Sequence, residues 1–278
     1  MVSFYRDQAT HHAAALTYYA LMSLFPMLLL AVSLLGLLGE YPNTYNTIVN
    51  NLRDVVPAVM LAPLSTAVKA ALKSRGTAAA ALALAVAAAL YGGTGYLEAT
   101  RRALNVVFEC RRGRSFVRRK LTDVASLLVL LALVLITIVL IFAGASLTRR
   151  VLGTGPADVW RVARWPLAFL SALLVFSFIY YVTPDIRHRG FHWIVPGALV
   201  GVGLWLALSA AFSEYLDHFD SFNVTYGSFA AAIILLVWLW LTNLTLLFGA
   251  EVNGEIERVN QIADGVPEAE ARKHPPVS

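Results

Sequence analysis

The chain has 278 residues, 58% of them hydrophobic and 14% charged, with a formal net charge of +5. That is too apolar and too weakly charged for an ordinary water-soluble domain, and several uncharged runs reach the roughly 20 residues a helix needs to cross about 30 Å of hydrocarbon. Such runs also exclude a transmembrane β-barrel, whose strands alternate over about 10 residues.

The first uncharged run is 13–38, longer than a secretory signal core, so it predicts a retained first span. Within it His12, Tyr19, Ser23 and Pro26 fall on one helical stripe. Pro26 removes an intrahelical bond and predicts a kink. Two readings stand for the stripe: the wall of a polar cavity, or packing between helices through Tyr and Ser. Residues 40–76 follow, with Ile48, Leu52, Val55 and Val56, then Leu61, Leu64, Val68 and Leu72 at helical spacing, broken by Pro57 and Pro63. This pattern predicts two short amphipathic helices in a first outer loop.

A second span is expected over 77–97. Gly92, Gly93 and Gly95 near its end predict close helix approach, just before Glu98. Glu98 lies three residues before Arg101 and four before Arg102, the spacing of an intrahelical ion pair. The glycines lack the Lys-Ser/Thr ending and the preceding strand of a phosphate loop. Residues 98–123 then hold eight basic and three acidic side chains. Arg111, Arg112, Arg114, Arg118, Arg119 and Lys120, with Arg101 and Arg102, are candidates to grip anionic headgroups, each worth roughly 1 kcal/mol near a bilayer. Simple topological retention is the competing reading. The loop has no interleaved aromatics, so no nucleic-acid partner is expected. The lone Cys110 reads as an incidental free thiol.

Four more spans are predicted at 124–148, 165–184, 193–213 and 227–250. Pro196, Gly197 and Gly227 mark helix starts with closely packed backbone. The last span carries Asn243 in its inner half, on a stripe continuing through Glu251 and Glu255, with Asn253 beside it. An intramembrane Asn is either functional or a hydrogen bond joining two helices, and both readings remain open. Outside the spans, 14 Lys and Arg fall on the face shared by both termini and 8 on the other, which predicts cytoplasmic termini. The acidic stretch 261–278 is expected to be disordered. The six histidines, His11, His12, His188, His192, His218 and His274, are dispersed, and no HExxH, GxSxG or CxxC occurs. An enzyme, a cofactor and a metal site are therefore not expected.

Three blocks together resemble the YihY/BrkB family: Ala13-Ala-Ala-Leu-Thr-Tyr-Tyr-Ala-Leu-Met-Ser-Leu-Phe-Pro26, Gly95-Tyr-Leu-Glu-Ala-Thr-Arg-Arg-Ala-Leu-Asn105, and Tyr226-Gly-Ser-Phe229 followed by Phe248-Gly-Ala-Glu-Val-Asn253. Tyr181-Val-Thr-Pro184 leading to Pro196-Gly-Ala198 falls in the same order, so the resemblance covers about residues 5–260. It implies a bacterial inner-membrane protein of six helices, in a family named for virulence and once labelled ribonuclease BN. The nuclease label fits badly, because a metal-dependent ribonuclease needs clustered His and Asp ligands on a soluble scaffold.

The expectation is thus an all-α polytopic membrane bundle of about six helices, with 1–260 as one transmembrane domain. Its function is a transporter, exporter or lipid translocase with a polar path through Tyr19, Ser23, Glu98, Arg101, Asn105, Asn243, Glu251 and Asn253. The alternative is a non-transporting scaffold for envelope assembly. Membrane lipids are the expected partners, with substrate and oligomeric state left open.

Overall fold

The computed structural model describes residues 8–38, 78–109, 116–142, 154–185, 193–217 and 228–267. These form six helices in chain order, α1 (Ala9–Leu38), α2 (Ala78–Val107), α3 (Phe116–Phe142), α4 (Thr154–Val182), α5 (Val195–Asp217) and α6 (Ser228–Ala263), with no strand among the described residues. The first outer loop, Gly227, Cys110 and the arginines at 111, 112 and 114 lie outside them, as does the side chain of Arg118.

The helices are longer than the uncharged runs that announce them. α2 continues through Glu98, Arg101 and Asn105 to Val107, and α3 begins at Phe116, before Asp123. α4 starts at Thr154 and accommodates Pro166, as α1 accommodates Pro26. α6 passes Ala250 and reaches Ala263. Its end is set by Gly265, whose φ of 89° is open to glycine: Gly265 N–H donates to Ile262 O at 3.0 Å and Val266 N–H to Gln261 O at 2.9 Å. α2 stops where Glu109 turns left-handed at φ 56° and donates its N–H to Val106 O at 3.0 Å.

The chain divides into two units. One comprises Met1–Ala13, Leu97–Leu208 and Thr242–Ser278. Its core is apolar at Leu97, Leu104, Val107, Phe108, Tyr180, Val202 and Leu247, yet Thr100, Arg101, Asp123, Asp185, Asn243 and Thr245 are buried among them. α3 packs against α4 in this unit. On α6 the buried positions Asn243, Leu246, Leu247, Ala250, Asn253, Glu257 and Gln261 recur every three or four residues, which makes one inward stripe. Meanwhile Leu128, Leu170, Leu174, Leu199 and Leu206 are exposed.

The other unit comprises Ala14–Tyr96 and Ser209–Leu241. Here α1 and α2 meet where a Cβ on Gly92 would come within 2.9 Å of Ser23 Cα, and one on Gly95 within 3.1 Å of the Tyr19 ring. Only glycine allows the backbones that close. Ser23 donates to Ala20 O at 2.9 Å and Thr94 to Leu90 O at 2.7 Å, so both buried hydroxyls are satisfied on their own helices. Gly93 is buried beside them, while Tyr18, Met22, Ile233 and Val237 are exposed.

Candidate functional site

The polar groups of the first unit converge on helix ends that lack caps of their own. α4 has no basic residue in its last turn. Its terminal carbonyls would otherwise be orphaned, with the negative end of the helix dipole behind them. Arg101 of α2 supplies what is missing: its Nε donates to Thr183 O at 3.1 Å. The guanidinium also pairs with Asp123 of α3 through Nη2 and Oδ1. Arg101 is 3% exposed and Asp123 2%, so the pair is removed from solvent. One turn along α2, Asn105 makes a reciprocal contact with Asp185, just past α4. Its Nδ2 donates to Asp185 Oδ2 at 3.3 Å, and its Oδ1 accepts from Asp185 N–H at 3.0 Å. Asp123 Oδ2 is buried with no hydrogen-bond partner among the described residues.

α5 has the complementary deficit at its start, with no acid in its first turn and Ile194 where a capping hydroxyl or amide is usual. Pro196 has no N–H to satisfy. The N–H of Gly197 is met by Asn253 of α6, whose Oδ1 accepts at 2.7 Å while Nδ2 donates to Ile194 O at 3.0 Å. This requires α5 and α6 to touch. A Cβ on Gly197 would overlap the Gly249 carbonyl and the Asn253 amide, and one on Gly249 would come within 2.5 Å of Gly197 O and the Tyr180 hydroxyl. Tyr180 of α4 completes the junction by donating to Leu246 O at 2.6 Å. Trp205 Nε1 donates to Thr242 Oγ1 at 3.1 Å higher on the same pair.

Glu98 stays partly exposed, as do Tyr19 and Asn105 of the expected path, whereas Ser23, Arg101, Asn243, Glu251 and Asn253 are buried. Glu98 accepts from Arg102 Nη2 at 2.6 Å, and Lys120 Nζ of α3 lies 3.9 Å from its second oxygen. The hydrogen bond from Arg102 holds its carboxyl below the ordinary value of 4.5; partial burial opposes this, and the charges of Arg102, Lys120 and Arg119 add to it. Asn243 and Glu251 are buried in the first unit, whereas Tyr19 and Ser23 belong to the second. The structure therefore brings Arg101 near Asn105 on one side of α4, and places Asn253 at the α5–α6 junction. Asp123, Thr183, Asp185 and Tyr180 are the participants that sequence reasoning missed. Aspartates at run boundaries read as loop residues, and the signal that would have found them is the absence of local caps on α4 and α5.

Among the described residues, α5 over Val195–Tyr215 and α6 over Ala232–Ala263 are long and apolar enough to cross a membrane. Together with the exposed leucines and the polar side chains buried within the apolar core, these helices define a helical membrane protein. The chain belongs to the family described as Virulence factor BrkB, whose model matches residues 1–275. Among its relatives is YfkH of Bacillus subtilis, whose name calls it ribonuclease-like; it is 26% identical, over 92% of each chain. UPF0761 membrane proteins of Nitrosospira multiformis and Pseudomonas aeruginosa are 26% and 28% identical over 91% and 89% of this chain. The alignments span 58% and 59% of those two relatives. No solved structure matches.

Proposed function

We propose that the protein is a six-span protein of the bacterial cytoplasmic membrane, with both termini in the cytosol, that moves a solute or lipid through a polar interior. The observation that carries this reading is the burial of Arg101, Asp123, Asp185, Asn243 and Glu251 in a bundle whose outer face is apolar. Charged and amide side chains inside a membrane bundle are expensive, and they persist where they serve a pathway. The shortest of the six helices has 23 residues, about 35 Å at 1.5 Å per residue, enough for about 30 Å of hydrocarbon. The basic residues near Glu98 and the positive-inside bias support the orientation.

The test is reconstitution of the full chain into proteoliposomes with a screen of lipids and small solutes. Asn243→Leu and Glu251→Gln should abolish the flux seen with the parent while leaving the protein monodisperse. Normal flux in both would remove the path. The ribonuclease-like name belongs to the Bacillus relative and is not carried over to this chain.

A second reading, a non-transporting scaffold, is favoured by one observation. Asn105, Asn253 and Tyr180 spend their polar atoms on neighbouring helix ends and carbonyls, so they join helices. In that case Asn253→Ala lowers stability in detergent, and no solute or lipid crosses in any variant.

A further inference from the structure

We propose that Arg102 and Lys120, set side by side on Glu98, form a seat for the phosphate of an anionic lipid. The proposal rests on the membrane placement above but not on transport. Glu98 of α2 holds Arg102 at 2.6 Å from one carboxylate oxygen and Lys120 of α3 at 3.9 Å from the other, so the two cations are fixed within one group's width. Both remain open to the surroundings, Arg102 at 76% exposure and Lys120 at 46%. Arg102 offers a planar fork suited to phosphate oxygens, and Lys120 a point charge beside it. Glu98 cancels one of the charges, and with Arg119 also close enough to act on its carboxylate the group keeps a net positive balance for an anionic phosphate. A zwitterionic headgroup brings no net charge to meet it.

What surrounds the seat identifies the occupant as a lipid. On α2 the exposed face continues one turn beyond Arg102 to Val106, and on α3 exposed Val117 precedes Lys120. On the other side of Lys120 the exposed face of α3 runs Leu121, Val124 and Leu128. The three charges are therefore bracketed along the helix axes by exposed aliphatic side chains. In water that flank would be wasted surface. At the boundary between headgroup and acyl chain it matches an amphiphile whose phosphate meets the cations and whose chains lie along α3.

The experiment is native mass spectrometry of the full-length protein in detergent, titrated with phosphatidylglycerol or with phosphatidylcholine of the same chains. The variants are Arg102→Gln/Lys120→Gln, Glu98→Gln, and Arg272→Gln/Lys273→Gln, which removes the same charge from the tail. Loss of both seat cations should weaken phosphatidylglycerol binding roughly thirtyfold, and Glu98→Gln should tighten it about fivefold. The tail variant should stay near the parent, and phosphatidylcholine binding should not respond. The seat is overturned if the double seat variant matches the tail variant, if Glu98→Gln does not tighten binding, or if inorganic phosphate displaces the lipid. Should the double variant fail to give monodisperse protein, Glu98→Gln decides alone. A protein that moves nothing in proteoliposomes yet shows this pattern loses the transport reading and keeps the seat.

Discussion

Arg101→Met isolates the cost of a buried charge. Arg101 and Asp123 pair across α2 and α3 at 3% and 2% exposure, and Arg101 Nε also serves Thr183 O. Removing the arginine alone leaves Asp123 buried without its counter-ion, a loss of about 3–5 kcal/mol. Adding Asp123→Leu removes that stranded charge. The double variant forfeits the Thr183 bond, about 1.5–3 kcal/mol for a charged donor, against an offsetting gain of about 1–4 kcal/mol from replacing a buried pair by apolar groups. It should therefore fall close to the parent and well above Arg101→Met. The assay is equilibrium unfolding of parent, both single variants and the double variant in one detergent. If the double variant were as unstable as Arg101→Met, the pairing energetics argued here would be wrong, and Arg101 would act through the α4 end alone.

Three further outcomes follow from the same geometry. Gly197→Ala and Gly249→Ala should each lower stability by about 1–3 kcal/mol in the same unfolding assay, because the new methyl meets backbone that has little room to move. Asn253→Ala strands the Gly197 N–H, while the Ile194 carbonyl keeps its bond from Ala198 N–H, and should lose about 1–3 kcal/mol, whereas Tyr180→Phe, giving up one bond to Leu246 O, should lose about 1 kcal/mol. Glu98 has its folded pKa below the ordinary 4.5, so its contribution is complete above that value and is lost as pH falls through the folded one. The stability difference between parent and Glu98→Gln should therefore be flat from about pH 8 to about pH 5 and close only in stronger acid.

The six helices were legible because hydrocarbon-length runs leave few alternatives, and each uncharged run lies largely within a described helix. The true ends were not. Arg101 and Asp123 look like the close of one span and the eve of the next, since charge ordinarily marks the water boundary. Their mutual pairing and the Thr183 carbonyl remove that signal and let both helices run on. Asn105 and Asp185 are 80 residues apart, and no local spacing joins them. Asn253 stood out as a polar residue on a buried stripe, but its task was hidden, since the deficit it fills lies on another helix.

That last point bears on how transport and scaffolding should be separated. In water an uncapped helix end finds solvent; inside a bundle facing hydrocarbon it must find protein. Arg101 meets Thr183 O at the end of α4, and Asn253 meets the Gly197 N–H in the first turn of α5, each from a different helix. Polar residues with such assignments are needed for the fold under either reading, so their loss from activity assays says little about a pathway. Asn243 and Glu251 are also buried on α6, on the stripe beside Asn253, and the bonds to Thr183 O and Gly197 N–H are made by Arg101 and Asn253 instead. Variants at those two positions, scored for flux against Asn253→Ala matched for stability, discriminate where the caps cannot. Flux lost at Asn243 or Glu251 with stability retained belongs to a conduit, and flux that tracks stability at all three belongs to the fold.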